Sequence, residues 1–584
     1  MKIKKITAFL LGCVMAVALL SACAPDKDAE YTVSFDYNYF TFDEVPARQT
    51  VRYGEKAEEP EEPEREGYDF LGWFTDADSA EQWDFEKDTV KGRTVLYAGW
   101  LSQDIRGEIV YPDDDKDFSA ITTPGSQESA YEYKTFFLPA KDGLKQPYVG
   151  DLMPYYEDGV YYLYYLKDGG DSYNHSVYLV TTRDFLTYTE QQEPVLESSR
   201  VGGAQDNWIG TGSVVKVNGT YYFFYTGHNG SATMEYQEKI MVAKSDTLTS
   251  FEKIEGWEII PDADLGQKRD FRDPQAYYDE SAGKIVLTVT ASKNGVARVI
   301  KYTLNADLTG ATYDGVIYSN QAGSFYNLEC SDTFRIGDKW YLTYSAQDDT
   351  LWYAVGETRY GPYTAAKRID GKLFYAAKHV EDGENSYMVG WARRSESASS
   401  TQDVAAWAGN VVVQKITATA DGELLLEPLD CMDELFANRR ALLVEGTTVR
   451  VESGSAYTYK PAFTCYERFM AGGDFSFSGE GSFGLAFDFD GSEEKYKLIR
   501  IAPSEGKVEL AFNEGETHIT ETAVRLEAGK DYSFTYIQEG SVGVFYIEGL
   551  CSLTVRIYGA SGKPIRFFAE NNNVKFSSLR LYTD

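Results

Sequence analysis

Three acidic residues stand at nearly the same distance ahead of a turn glycine: Asp151 eight residues before Gly159, Asp273 ten before Gly283 and Glu329 eight before Gly337. With 91 Asp and Glu in the chain an acid at any one offset is common, so the surroundings must carry weight. Asp151 lies in Val149-Gly150-Asp151-Leu152-Met153-Pro154, Asp273 in Phe271-Arg272-Asp273-Pro274 and Glu329 in Leu328-Glu329-Cys330-Ser331-Asp332. Such apolar and Gly/Pro settings are not solvated charge runs. Two or three carboxylates enclosed in one site cannot all ionise cheaply, and their pKa values are pushed apart. The outcome is an acid and a nucleophile at one pH, which is what cleavage of a glycosidic bond needs.

The elements that would bring these acids together repeat along the chain. Gly159 to Tyr165, Gly219 to Tyr225, Gly283 to Val289, Gly337 to Tyr344 and Gly383 to Trp391 each run from a turn glycine into aromatic and β-branched residues, the pattern of a hairpin's second strand. The glycines are 60, 64, 54 and 46 residues apart. Antiparallel units at such a period predict a five-bladed β-propeller with inserted loops. The first strand of each blade lines the channel, so residues at one offset converge near the axis. By this count Asp151, Asp273 and Glu329 share one pocket, with Thr211 and Tyr375, each eight residues before its glycine, as neutral walls.

At these residues the chain resembles glycoside hydrolase family 32, the β-fructofuranosidases. Arg272-Asp273-Pro274 and Glu329-Cys330 are similar to that family's Arg-Asp-Pro and Glu-Cys motifs. Trp208-Ile209-Gly210-Thr211-Gly212-Ser213 resembles its loop reading Ser-Gly-Ser after an aromatic residue, and Phe374-Tyr375-Ala376-Ala377-Lys378, Gly390-Trp391 and Gly409-Asn410 resemble its last blade. The resemblance runs from about Gly150 to about residue 430. It implies that Asp151 is the nucleophile, Glu329 the acid/base and Asp273 the transition-state stabiliser, with Arg272, Trp208, Thr211 and Tyr375 as substrate contacts. It implies a retaining hydrolase for fructans or sucrose that needs no cofactor and no metal. The chain departs from the pattern at Gly150, where many members have Asn, at Leu166 in place of a Gln and at Val177 in place of a Trp; His175 and Tyr173 are the candidates for replacement contacts.

From about residue 430 onward short alternating strands such as Phe483 to Phe489 and Lys507 to Phe512 predict a β-sandwich, which matches the accessory domain of that family. At the other end Lys2, Lys4 and Lys5 precede an apolar stretch from Ile6 to Leu20 of signal-peptide length. Leu20-Ser21-Ala22-Cys23 resembles a bacterial lipobox, which implies lipidation of Cys23 and a membrane anchor outside the cell. Residues 31–100, with Gly72-Trp73, Trp83 and Trp100, resemble the small β-rich repeat of bacterial surface proteins typified by internalin B-repeats. The expected organisation is all-β: a leader at 1–23, the repeat-like domain at 31–100, the propeller at 101–430 and the sandwich at 431–584.

A net charge of −35 repels nucleic acid, while 45 Tyr and 9 Trp suit sugar faces as well as strand packing. His175, His228, His379 and His518 show no ligand spacing. Two other readings stay open at this level: a five-bladed glycosidase for arabinosides or xylosides that works by inversion, and a glycan-binding surface lipoprotein without catalysis.

Overall fold

A computed structural model of the chain describes residues 29–38, 45–65, 68–75, 82–102, 133–141, 146–168, 175–262, 269–293, 295–320, 325–395, 405–430, 432–443, 448–488, 496–512 and 517–584. Cys23, the leader and Tyr173 lie outside them.

The first unit holds four strands, Glu30–Asp36, Gln49–Arg52, Tyr68–Phe74 and Thr94–Ser102. The first and last pair in parallel at the centre of the sheet, and the other two pair at its edges. Alternation puts Val33 and Phe35 on the same face as Leu96, Ala98 and Trp100, where with Trp73 they form a buried aromatic core.

The second unit holds five four-stranded antiparallel blades, of which the first and fifth are joined in one eight-stranded sheet. Their first strands are Tyr148–Glu157, Trp208–Val217, Phe271–Asp279, Leu328–Ile336 and Phe374–Glu381, for blades 1 to 5. Each is followed by the hairpin strand that the turn glycines mark: Val160–Asp168, Thr220–His228, Lys284–Lys293, Lys339–Ala346 and Ser386–Ser395. The first strands neighbour one another in sequence order, and the fifth neighbours the first, so the ring is closed around a channel. All four strands of blade 5 are consecutive in the chain. Closure is made instead by its long third strand, Ala405–Ala418, where Gly409 pairs with Val149 of blade 1 and Val411 N–H donates to Phe137 O at 3.0 Å. Arg394, 2% exposed, reinforces the seam with an ion pair to Asp168 at 2.6 Å.

The inner strands share one irregularity. In blades 1, 3, 4 and 5 two residues face one on the partner strand: Asp151 and Leu152 opposite Tyr165, Asp273 and Pro274 opposite Val289, Cys330 and Ser331 opposite Tyr344, Ala376 and Ala377 opposite Gly390. In blade 2 the extra residue is Thr211. Asp151, Asp273, Cys330 and Ala376 all have positive φ, from 38° to 56°. These are β-bulges at one level of the channel, each re-aiming a side chain at the strand's entry.

The bulges correct the offset count. Asp151, Thr211, Asp273, Cys330 and Ala376 are the equivalent residues, and Glu329 and Tyr375 sit one place earlier, alongside Gly150, Gly210 and Arg272. The slip comes from the hairpin turns. Gly159 is the second residue of its turn, whereas Gly337 is the first of its own, so counting back from glycine lands one residue out of step.

Residues 438–584 form two antiparallel sheets of seven and six strands packed around Phe463, Phe475, Phe483, Phe487, Phe534 and Phe567, the expected sandwich. Cys330, Cys465 and Cys551 are buried free thiols, not bridges. The sandwich is tied to the propeller by buried polar groups. Asp370, 1% exposed, accepts from Gln414 Nε2, Ser552 Oγ, Thr554 Oγ1 and Thr554 N–H at 2.7 to 3.0 Å. Arg556 donates to the carbonyls of Ala392 and Arg393 and to Asn410 Oδ1. Asp370→Ala leaves those donors of both domains buried without an acceptor and should destabilise the chain by about 3 kcal/mol or more. Chemical denaturation of the variant beside Asp370→Asn, which keeps one acceptor and loses less, checks this.

Candidate active site

The bulges place the predicted acids together. Thr211 Oγ1 donates to Asp151 Oδ2 at 3.0 Å, linking blades 2 and 1. Cys330 N–H, freed by its bulge from the strand ladder, donates to Asp273 Oδ2 at 2.7 Å, linking blades 4 and 3. Tyr375 OH donates to Glu329 Oε2 at 2.6 Å, linking blades 5 and 4. Thr226 Oγ1 completes the blade 2 to 3 seam by accepting from Asp273 N–H and donating to Thr211 O.

Arg272 organises the charge on one side. Its Nη1 reaches Glu329 Oε1 at 3.3 Å, its Nη2 pairs with Asp270 Oδ1 at 2.9 Å and Glu238 Oε1 at 3.0 Å, and its Nε donates to Glu238 Oε2 at 3.1 Å. Glu238 also accepts from Phe271 N–H and contacts His228 Nδ1 at 3.2 Å. Burial alone would raise the Glu238 pKa, but Arg272 and His228 outweigh it and hold this carboxyl down to about 2. Glu238 is therefore a fixed anion that anchors the guanidinium.

The two aspartates behave oppositely. Burial, then repulsion from Glu329, raises Asp151 to about 6. The Thr211 hydroxyl and, in a contact looser than a hydrogen bond, the Trp391 indole pull it partly back. Asp273 is 4% exposed; burial raises it to about 7, with Arg272 and the Cys330 N–H opposing and Glu329 and Asp151 assisting. Glu329 keeps a side chain 31% exposed, so it is the acid that meets the pocket opening. Burial and the neighbouring carboxylates thus hold both aspartates well above the usual carboxylate range.

Trp208 and His175 belong to an aromatic arc rather than to the carboxylate cluster. The His175 ring stacks on Trp407 at 4.5 Å and meets Trp208 edge-on at 5.3 Å, and Trp208 in turn meets His228 at 6.1 Å. Burial and the nearby His228 lower the His175 pKa to about 4, which makes it a neutral wall near pH 7. Gly150 explains why the residue before Asp151 departs from the family pattern: a Cβ there would lie 2.2 Å from the Trp407 ring. Leu166, opposite Gly150, is buried.

Sequence reasoning missed Glu238, Asp270, Thr226 and Trp407. Glu238 opens the third strand of blade 2, in a run with charged neighbours that marks nothing special. Trp407 is flanked by alanines, and its role appears only when the ring closes. Among the described residues no group of three or more His, Cys, Asp or Glu is placed to share a metal ion.

Propeller, sandwich and clustered carboxylates together are the architecture of a class of glycosidases. Residues 152–428 match the model for the glycosyl hydrolases family 32 N-terminal domain, and residues 31–99 match the Listeria-Bacteroides repeat domain. The propeller is thus similar to the N-terminal domain of that hydrolase family. A candidate membrane protein of Evansella cellulosilytica is 38% identical over 104 residues, 18% of this chain and 14% of that protein, so the chain spans a small part of that relative. The raffinose invertase of Escherichia coli is 26% identical over 402 residues, 62% of this chain and 77% of the relative. The solved β-fructofuranosidase of Aspergillus kawachii, complexed with glycerol, shares the fold with a TM-score of 0.63 at 14% identity, over 81% of this chain and 98% of the other.

The raised aspartates set a pH dependence of stability. Asp273 has a folded pKa of about 7 against 3.8 for an ordinary Asp, so the folded state binds the proton more tightly than the unfolded chain. Its ionisation opposes folding fully above pH 7 and not at all below about pH 4. Asp273→Asn, which still accepts from Cys330 N–H, should raise stability by about 1–3 kcal/mol at pH 7.5. The gain should fade as the pH falls toward 4, as thermal melts across that range would record.

Proposed function

We propose that the chain is a retaining glycoside hydrolase that cleaves β-fructofuranosidic bonds in sucrose or fructans. The observation that carries this is the gathering of Asp151, Asp273 and Glu329 on inner strands at one level of the channel, tied by Thr211, the Cys330 N–H, Tyr375 and Arg272. Asp151 attacks the anomeric carbon while Glu329 protonates the leaving oxygen; Glu329 then takes a proton from the water that releases the sugar. Ester formation removes the charge of Asp151 and with it a source of repulsion on the pair, which suits the switch of Glu329 from acid to base. The deeply buried Asp273, fixed by the Cys330 N–H, opposes the positive charge that develops on the sugar ring.

Two donors hold the Glu329 side chain, Tyr375 OH at 2.6 Å and Arg272 Nη1 at 3.3 Å. They orient it toward the opening, and Tyr375→Phe should lower kcat more than it raises KM. Inversion on arabinosides or xylosides would need carboxyls about 6.5–9.5 Å apart. The family-model match over residues 152–428 and the sandwich favour the fructoside reading.

At the N-terminus the reading is a cell-surface enzyme anchored through lipidated Cys23, with the repeat domain as a spacer. The Listeria-Bacteroides repeat and the likeness to candidate membrane proteins support surface or membrane association. Cys23→Ala should leave activity intact and release the protein, and fatty-acid labelling should mark only the version that keeps Cys23.

Assay of the purified chain on sucrose, inulin, levan and arabinan tests the substrate class; activity on arabinan alone would overturn it. Since Asp151 must be ionised to attack, kcat/KM should fall as the pH drops through about 6. Asp151→Asn should abolish turnover. Glu329→Gln should lose natural substrates yet spare fructosides with an activated leaving group, and equal loss on both would remove Glu329 from the acid/base role.

A further inference from the structure

Two places past each bulge position the inner strands present Met153, Ser213, Gln275, Asp332 and Lys378, the next layer down the channel. Lys378 is 1% exposed, and its Nζ donates to Gly212 O at 3.0 Å. Blade 5 borders blades 4 and 1, so this side chain crosses the channel axis to reach blade 2. Among the described residues no carboxylate lies within ion-pair distance of it.

A buried ammonium with a single carbonyl partner carries a desolvation cost of several kcal/mol. If this position only filled space, an apolar side chain such as that of Met153 in the same layer would serve. The charge instead acts at longer range. The carboxylates that feel it are Asp151, in the layer above, and Asp332, on blade 4 in its own layer, and at the Cys330 thiol it offsets part of the rise that burial causes. The other charged groups that face Asp151 are Glu329 on blade 4 and Asp273 on blade 3, both like charges, while Arg272 is engaged by Glu238, Asp270 and Glu329. Gly212 O, the acceptor that fixes the ammonium, adjoins Thr211, whose hydroxyl holds Asp151.

We propose that Lys378 is a positioning residue of the active site: an axial ammonium under the pocket floor that keeps Asp151 charged while the neighbouring carboxylates compete to discharge it. The proposal rests on the role given to Asp151 above. Asp332, when ionised, opposes it with a negative charge in the same layer. The bland alternative is a lysine that only braces blade 5 against blade 2.

The test reads Asp151 directly. In protein labelled with carboxyl-13C aspartate, the Asp151 resonance is the one lost in Asp151→Asn. Lys378→Gln keeps a donor for Gly212 O and removes the charge; Lys378→Met removes both. In either folded variant the Asp151 titration should move up by about one pH unit, and the acid limb of kcat/KM on sucrose should move with it. Asp332→Asn leaves Lys378 in place without that opposing charge and should move the titration down. An unchanged Asp151 titration in Lys378→Gln, or a shift in the same direction in Asp332→Asn, overturns the proposal. A wild-type chain inactive on every fructoside would sink the hydrolase reading, while the resonance titration would still decide the role of Lys378.

Discussion

One extra residue in each inner strand sets the level at which this propeller gathers its polar groups. A regular strand points alternate side chains toward and away from its neighbours, so two adjacent residues cannot both serve one pocket. The bulge suspends that rule locally. It lets Arg272 and Asp273 on blade 3 act in the same space, and it lets Glu329 meet the pocket while the next residue, Cys330, gives its N–H to Asp273. The positive φ of Asp151, Asp273, Cys330 and Ala376 is the strain that this arrangement stores, held by strands well paired on either side.

Electrostatics follow from that gathering. Burial raises both aspartates, and mutual repulsion adds to it, so the cluster would discharge if cations were absent. Arg272 answers on one side, itself pinned by the strongly acidic Glu238. The aromatic arc of Trp407, His175 and Trp208 borders the cluster with groups that carry no charge near pH 7. The site therefore gathers acidic groups beside neutral ring faces.

Much of this was legible in the sequence. Turn glycines followed by aromatic runs located all five hairpins, because the hairpin turn and strand alternation are local rules. The acids Asp151, Asp273 and Glu329 were found by offset, though the offset hid a slip of one residue that only strand register exposes. What could not be read was what closure brings together: Trp407 over Gly150, Glu238 behind Arg272, and Asp370 between propeller and sandwich. Those contacts join positions 34 to 257 residues apart, and no local pattern announces them.

The central claim is that the bulge on blade 1 makes Asp151 the group that attacks the sugar. Rapid quenching of the Glu329→Gln variant with an activated fructoside, followed by peptide mass spectrometry, tests it directly. The account predicts one anhydrohexose added to the peptide that contains Asp151 and to no other. Turnover without that adduct, or an adduct on the peptide that contains Asp273, would contradict it.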